Sequence, residues 1–269
     1  MDETADRASD EWDALLRDDE ALRQEVEEKF AARMRAANLT FGDRLLCPFP
    51  RPAFVSPATY EQIRGVCRRI FRAVQKAEQA LGPELWDRVG LLPEERELVA
   101  VDPGYAHSAP TARLDSFLTT AQYQFVELNA ETPAGAAYAE MLAETFLEMP
   151  ITKRLMQRFR LTRFNSRGRL LETLVGCYRE GGGTVAKPAI AVVDYDEVPT
   201  RTEHHMYRDF FERNGHHSVV CDPRGLAYEG GRLRYEGVAI DIVYKRLLVN
   251  EMLERKEQLQ PLIKAVRDR

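Results

Sequence analysis

Apolar residues along this chain change their spacing several times, and each change predicts a different element. Residues 1–10 carry no periodicity and are expected to lack structure. From Trp12 to Ala37, Trp12, Leu15, Leu16, Leu22, Val26 and Phe30 recur at helical intervals among charges, which predicts a helix. The following stretch, FGDRLLCPFPRPAFVSP, is rich in proline and reads as a loop. Ser56 and Pro57 then have the residue types of an N-cap and first position, opening a helix through Ile63, Cys67, Ile70, Phe71 and Val74 that stops near Gly82. Short helical pieces follow around Leu85 and Pro93.

Two strands are predicted near 112–119 and 123–130, then a helix from Ala134 to Glu148 and a second helical run from Ile151 to Glu180. Gly181, Gly182 and Gly183 read as a flexible joint. Beyond them the order becomes strand AIAVVDY, a helix through Met206, Phe210 and Phe211, strand HSVVC, a hairpin turning at Gly230–Gly231, strand VAIDIVYKR and a helix from Leu247 onward. The expected fold class is mixed α/β. Residues 1–183 form a helical region carrying the 112–130 hairpin, and residues 184–269 form a Rossmann-like unit.

Composition adds exclusions. The net charge of −5 gives no basic excess, so nucleic acid and anionic lipid are not expected partners. No stretch has the length and apolarity of a membrane span, and the start has no apolar signal core. Cys47, Cys67, Cys177 and Cys221 form no CxxC pair and read as reduced thiols, so a cytoplasmic location is expected.

Chemistry concentrates in ARLDSFLTTAQYQFVELNAETPAG, residues 112–135. A hairpin turning at Ala121 would set Asp115 opposite Glu127 and Arg113 opposite Asn129, all on one face, with Phe117, Tyr123 and Phe125 packing beneath. Opposed carboxylates repel unless a cation lies between them. Asp, Glu and an Asn amide oxygen are hard donors suited to Mg²⁺, and an arginine beside them can hold phosphate oxygens. The competing reading is a solvated face of surface ion pairs.

The order Arg-x-Asp, a hairpin, then Glu-x-Asn and VELNAETPAG resembles the synthetase domain of glutathionylspermidine synthase and the related circularly permuted ATP-grasp proteins. The resemblance implies an ATP-dependent carboxylate–amine ligase that forms an amide through an acyl phosphate. Mg²⁺ would be held by Asp115, Glu127 and Asn129, with Arg113 on the transferred phosphoryl group and ATP as cofactor. The partners implied are a small-molecule or peptide carboxylate and an amine. Residues 189–246 look like the family's pre-ATP-grasp unit, with Asp241 to Lys245 matching its Asp-x-x-x-Lys run.

Two departures stand out. The residues after the Asn are Glu131, Thr132, Pro133 and Ala134, of which only Thr132 keeps a hydroxyl for a peptide substrate. No equivalent of the family's adenine clamp follows, so the expectation is either a part of a longer protein or an incomplete nucleotide site. The alternative is a non-catalytic binding or scaffold protein on the same fold. Glu131, Thr132, Glu203 and Lys245 are further candidate substrate contacts, with Asp241 and Lys245 sharing a strand face as a candidate pair. His107 lies in a loop before the hairpin. The pairs His204–His205 and His216–His217 make poor chelates and read as solvent-facing or helix-end residues.

Overall fold

The carboxylate of Asp2 accepts a hydrogen bond from the Ala5 amide at 3.1 Å, and helix α1 (Glu3–Asp18) begins there. In this computed structural model, which describes every residue except Met1, Ser108, Thr120, Ala121 and Arg269, the stretch expected to lack structure is thus helical from Glu3. The cap and the acidic first turn, Glu3 and Asp6, explain the correction. Asp19 caps α2 (Glu20–Ala36) in the same way through Leu22, so the single expected helix is two.

A short hairpin, β1 (Thr40–Phe41) with β2 (Arg44–Leu45), opens the proline-rich segment. Ser56 Oγ accepts from the Thr59 amide and starts α3 (Pro57–Leu81) where the sequence predicts it. There follow α4 (Pro83–Arg88), α5 (Pro93–Val99), β3 (Arg113–Leu118), β4 (Tyr123–Asn129), α6 (Ala136–Leu147), α7 (Pro150–Leu155) and α8 (Ser166–Glu180). The helix expected from Ile151 to Glu180 is interrupted over 156–165. Ion pairs hold that stretch instead: Arg158 with Glu11, and Arg163 with Glu140 and Glu144. The remaining elements are β5 (Ile190–Val193), α9 (Arg201–Arg213), β6 (Ser218–Cys221), β7 (Leu226–Glu229), β8 (Arg232–Tyr235), β9 (Val238–Ala239), β10 (Ile242–Lys245), α10 (Val249–Glu254) and α11 (Gln260–Arg267).

Two units divide the chain, and neither is contiguous in sequence. The first comprises 1–79, 114–127 and 135–165; the second comprises 80–113, 128–134 and 166–269. The boundary expected at residue 183 falls inside the second unit, because α8 packs on β10 and α9. The three glycines there form a helix stop, not a loose joint. Gly182 has φ +86°, and the Gly183 amide reaches back to the Tyr178 carbonyl at 2.8 Å, a Schellman pattern. Arg179 then holds the carbonyls of Gly183, Val185 and Ala186.

In the first unit, α1, α2, α6 and α7 pack around Trp12, Phe30, Met34 and Phe146. Trp12 meets Phe146 edge-on at 6.0 Å, and its indole nitrogen donates to the Pro50 carbonyl at 3.1 Å. In the second unit, β10, β5 and β6 form a parallel sheet in that order, and α9 connects β5 to β6. All four residues of β5 are buried, as an apolar strand covered on both faces requires. The β7–β8 hairpin turns at Gly230 and Gly231 as expected, both with positive φ. The predicted strand VAIDIVYKR is split: β9 pairs antiparallel with β8, and β10 lies parallel beside β5. Asp241 sits at the changeover, accepting from Ala189 N at 2.9 Å and from Arg232 at 2.6 Å. No described helix is long and apolar enough to cross a membrane.

Candidate functional site

Strands β3 and β4 pair with each other in a two-stranded sheet, the element the sequence predicts around its candidate chemistry. The expected turn centre, Ala121, lies outside the described residues. Beside it, the Thr119 amide donates to the Gln122 carbonyl at 2.9 Å, which sets the ladder one residue out of step with the expected register. Ser116 Oγ contacts the Tyr123 hydroxyl at 3.2 Å, and Tyr123 packs on Phe125 at 4.6 Å. Tyr123 and Phe125 therefore share a face with Ser116. Phe117 points the other way and is 67% exposed, which corrects the expectation that it packs with them.

Strict alternation from the turn would also put Glu127 on the Tyr123 face, away from Asp115. The burial pattern departs from that rule. Tyr123 and Phe125 are half-buried, Val126 and Glu127 are both exposed, and Leu128 and Asn129 are half-buried. β4 is also longer than β3, with seven residues against six. One extra residue in one strand is the signature of a β-bulge. A bulge at Val126–Glu127 would return Glu127 to the face of Asp115. The division between units runs through the hairpin: Asp115 and Glu127 belong to the first, Arg113 and Asn129 to the second. Arg113 is exposed and donates to the Ala134 carbonyl at 3.0 Å. Among the described residues, no three His, Cys, Asp or Glu side chains cluster as a metal site; the expected ligand set has two carboxylates and an amide.

Within the second unit, the segment after β4 is held from three directions. Glu131 Oε1 accepts from Lys245 Nζ at 2.9 Å and from the Val249 amide at 2.7 Å. Arg246 Nη1 donates to the Pro133 carbonyl, and Arg113 holds that of Ala134. The expected pairing of Lys245 with Asp241 is absent; Lys245 turns to Glu131, and Asp241 precedes β10 and pairs with Arg232. Thr132 is half-buried in the same segment. Glu203, expected to meet a cationic substrate, is fully buried, with the Tyr207 hydroxyl at 3.4 Å and Arg246 Nη2 at 3.7 Å. It is therefore shut off from a ligand in solvent.

Sequence reasoning missed the buried polar group beside it. His204 is fully buried in the first turns of α9, with its Nε2 at 3.5 Å from Asp194 Oδ2, and neither ring nitrogen makes a hydrogen bond. Burial, reinforced by Arg246 and Arg201, pushes its pKa down to about 3, so the ring is neutral. Asp194, just after β5, is pushed up to about 6 by the same loss of solvent. His204 thus departs from the solvent-facing expectation, and so does His216, which is buried against the Pro188 carbonyl at 3.0 Å. His217 is exposed and His205 half-buried, as expected of residues at a surface or helix end; His107 is exposed in its loop. The signal for His204 was in the sequence: a helix positioned by Met206, Tyr207 and Phe211 also turns position 204 inward. Comparison of the chain with protein-family models gives no match, and comparison with curated proteins gives none.

Proposed function

We propose that this chain supplies the metal- and phosphate-holding part of an ATP- and Mg²⁺-dependent carboxylate–amine ligase, similar to the glutathionylspermidine synthase type of circularly permuted ATP-grasp protein. The observation that carries the reading is the pairing of β3 with β4, with Asp115 on one strand and Glu127 on the other. The donor chemistry fits: Asp115, Glu127 and the Asn129 amide are hard oxygen ligands for Mg²⁺. When bound, Mg²⁺ supplies positive charge against the nucleotide phosphates.

In this reading Arg113 orients the γ-phosphate through its planar guanidinium. The substrate carboxylate attacks the γ-phosphorus, ADP leaves, and an acyl phosphate forms. The amine then attacks the acyl carbon, phosphate leaves with the C–O bond electrons, and the nitrogen loses a proton to give the amide. The work of the site is positioning and charge stabilisation. The parallel sheet β10–β5–β6 with its α9 connection is read as the Rossmann-like pre-ATP-grasp unit.

The test is an ATP-turnover assay on the protein in its full natural length, with Mg²⁺ and a panel of amino acids, peptides and polyamines. Asp115→Ala and Glu127→Ala are each expected to lower turnover by roughly 10²-fold or more. Near-normal turnover in both variants removes these residues from the site. If the unaltered protein neither binds nor turns over ATP, a non-catalytic binding or scaffold role is the better account.

A further inference from the structure

We propose that the cleft beyond the C-terminal end of β10 binds a free α-amino acid through its ammonium and carboxylate groups. The chain passes from β5 to β6 on one side of the sheet and returns to β10 on the other side of β5. In open α/β sheets ligands collect outside the strand C-termini. A cleft of about 500 Å³, within the second unit, opens at that end of β10 and is lined by Val243, Tyr244 and Lys245. That volume lies in the range of small-molecule sites.

Three charged residues line the cleft; Glu95 accepts from the Leu92 amide at 2.7 Å, while Glu131 and Lys245 oppose each other. Lys245 and Glu131 pair at 2.9 Å, and their side chains are 31% and 41% exposed. A pair so hydrated is weakly held. Each group also has a backbone partner that survives opening of the pair: Lys245 donates to the Leu247 carbonyl, and Glu131 accepts from the Val249 amide. The two charges are thus fixed in place without depending on each other. A ligand with one charge would satisfy one group and strip the other of its partner. A zwitterion satisfies both, with its carboxylate on Lys245 and its ammonium on Glu131. Val99, Leu174 and Val243 give the cleft an apolar wall for a side chain. Binding stands on this cleft alone; a role for the bound amino acid as the reacting amine or carboxylate rests on the ligase reading.

The experiment is calorimetric titration of the unaltered protein, without nucleotide, with each proteinogenic α-amino acid. The tightest binder is then compared with its N-acetyl and amide derivatives, which lack one charge each. Binding of the free amino acid at least about tenfold tighter than either derivative is expected. Glu131→Gln, which keeps an acceptor for Val249, and Lys245→Met are expected to abolish that preference. The proposal is overturned if no amino acid binds, if the blocked derivatives bind equally well, or if both folded variants retain the preference. The titration of the unaltered protein decides the matter even where a variant fails to fold. ATP turnover with no amino-acid binding sinks this site and leaves the ligase; amino-acid binding without ATP turnover does the reverse.

Discussion

Arg246 Nη1 lies 2.7 Å from the carbonyl oxygen of Pro133. The same nitrogen is 3.0 Å from the Tyr244 hydroxyl, and Nη2 is 3.7 Å from Glu203. A buried guanidinium at the end of β10 thus ties α9 to the segment that follows β4. Arginine is rarely buried unless paired, and here its charge is met by a carboxylate that is itself fully buried.

Removing one partner of such a pair leaves the other charge in a poorly solvated interior. Arg246→Met is expected to cost about 3–5 kcal/mol in urea unfolding, and Arg246→Met with Glu203→Gln is expected to recover part of it. A loss below about 1 kcal/mol in the single variant would show that solvent already reaches Glu203.

Burial of Asp194 and His204 makes stability depend on pH with opposing signs. The folded-state pKa of Asp194 is raised from 3.8 to about 6, so the folded protein holds the extra proton in that window and stability falls as pH rises through it. That of His204 is depressed from 6.5 to about 3, so the unfolded chain holds the extra proton and stability rises with pH across that window. The histidine window encloses the aspartate window, and acidification destabilises on balance. His204→Gln is expected to flatten the loss of stability on acidification, and Asp194→Asn to steepen it. Urea midpoints measured from about pH 4 to pH 7 check both, and the opposite order of slopes would refute the assignment.

Trp12 anchors the first unit, since it is fully buried, meets Phe54 and Phe146, and satisfies its indole donor on Pro50. Trp12→Ala is expected to cost about 3–5 kcal/mol. Trp12→Phe keeps much of the volume and is expected to cost less, although the Pro50 carbonyl loses its donor. Thermal and urea unfolding of the two variants give the comparison.

Most elements were legible because local rules and tertiary contacts agree. Ser56–Pro57 starts α3, Gly230–Gly231 turns the β7–β8 hairpin, and the apolar run at Ile190 is a buried strand. The failures have physical causes. The first ten residues show little apolar periodicity, yet Ala5 and Ala8 are small enough to pack closely and are buried. Gly181–Gly183 looks like a linker by composition, but the Gly183 amide caps the helix on the Tyr178 carbonyl and Arg179 holds the Gly183 carbonyl. His204 looked like a surface residue when read with its neighbour His205, whereas its helical spacing to Tyr207 and Phe211 turns it inward. In the candidate site, β3 and β4 were readable and the register was not. A one-residue shift of the ladder changes which side chains share a face without altering any local propensity.

That register decides the metal-site reading, and paired cysteines can read it. With a bulge at Val126–Glu127, residues 115 and 127 face each other and their Cβ atoms come within disulfide reach. With an unbroken ladder from the Thr119–Gln122 pair, position 115 instead faces 126. The native Cys67 lies 4.0 Å from the Tyr123 hydroxyl and would compete, so Cys67→Ala is the background for both designs. Asp115→Cys/Glu127→Cys is expected to cross-link under mild oxidation faster than Asp115→Cys/Val126→Cys, as measured by loss of free thiol. The reverse order would place Glu127 on the Tyr123 face, away from Asp115. Those two carboxylates could then share no ion, and the ligase proposal would lose its chemical basis.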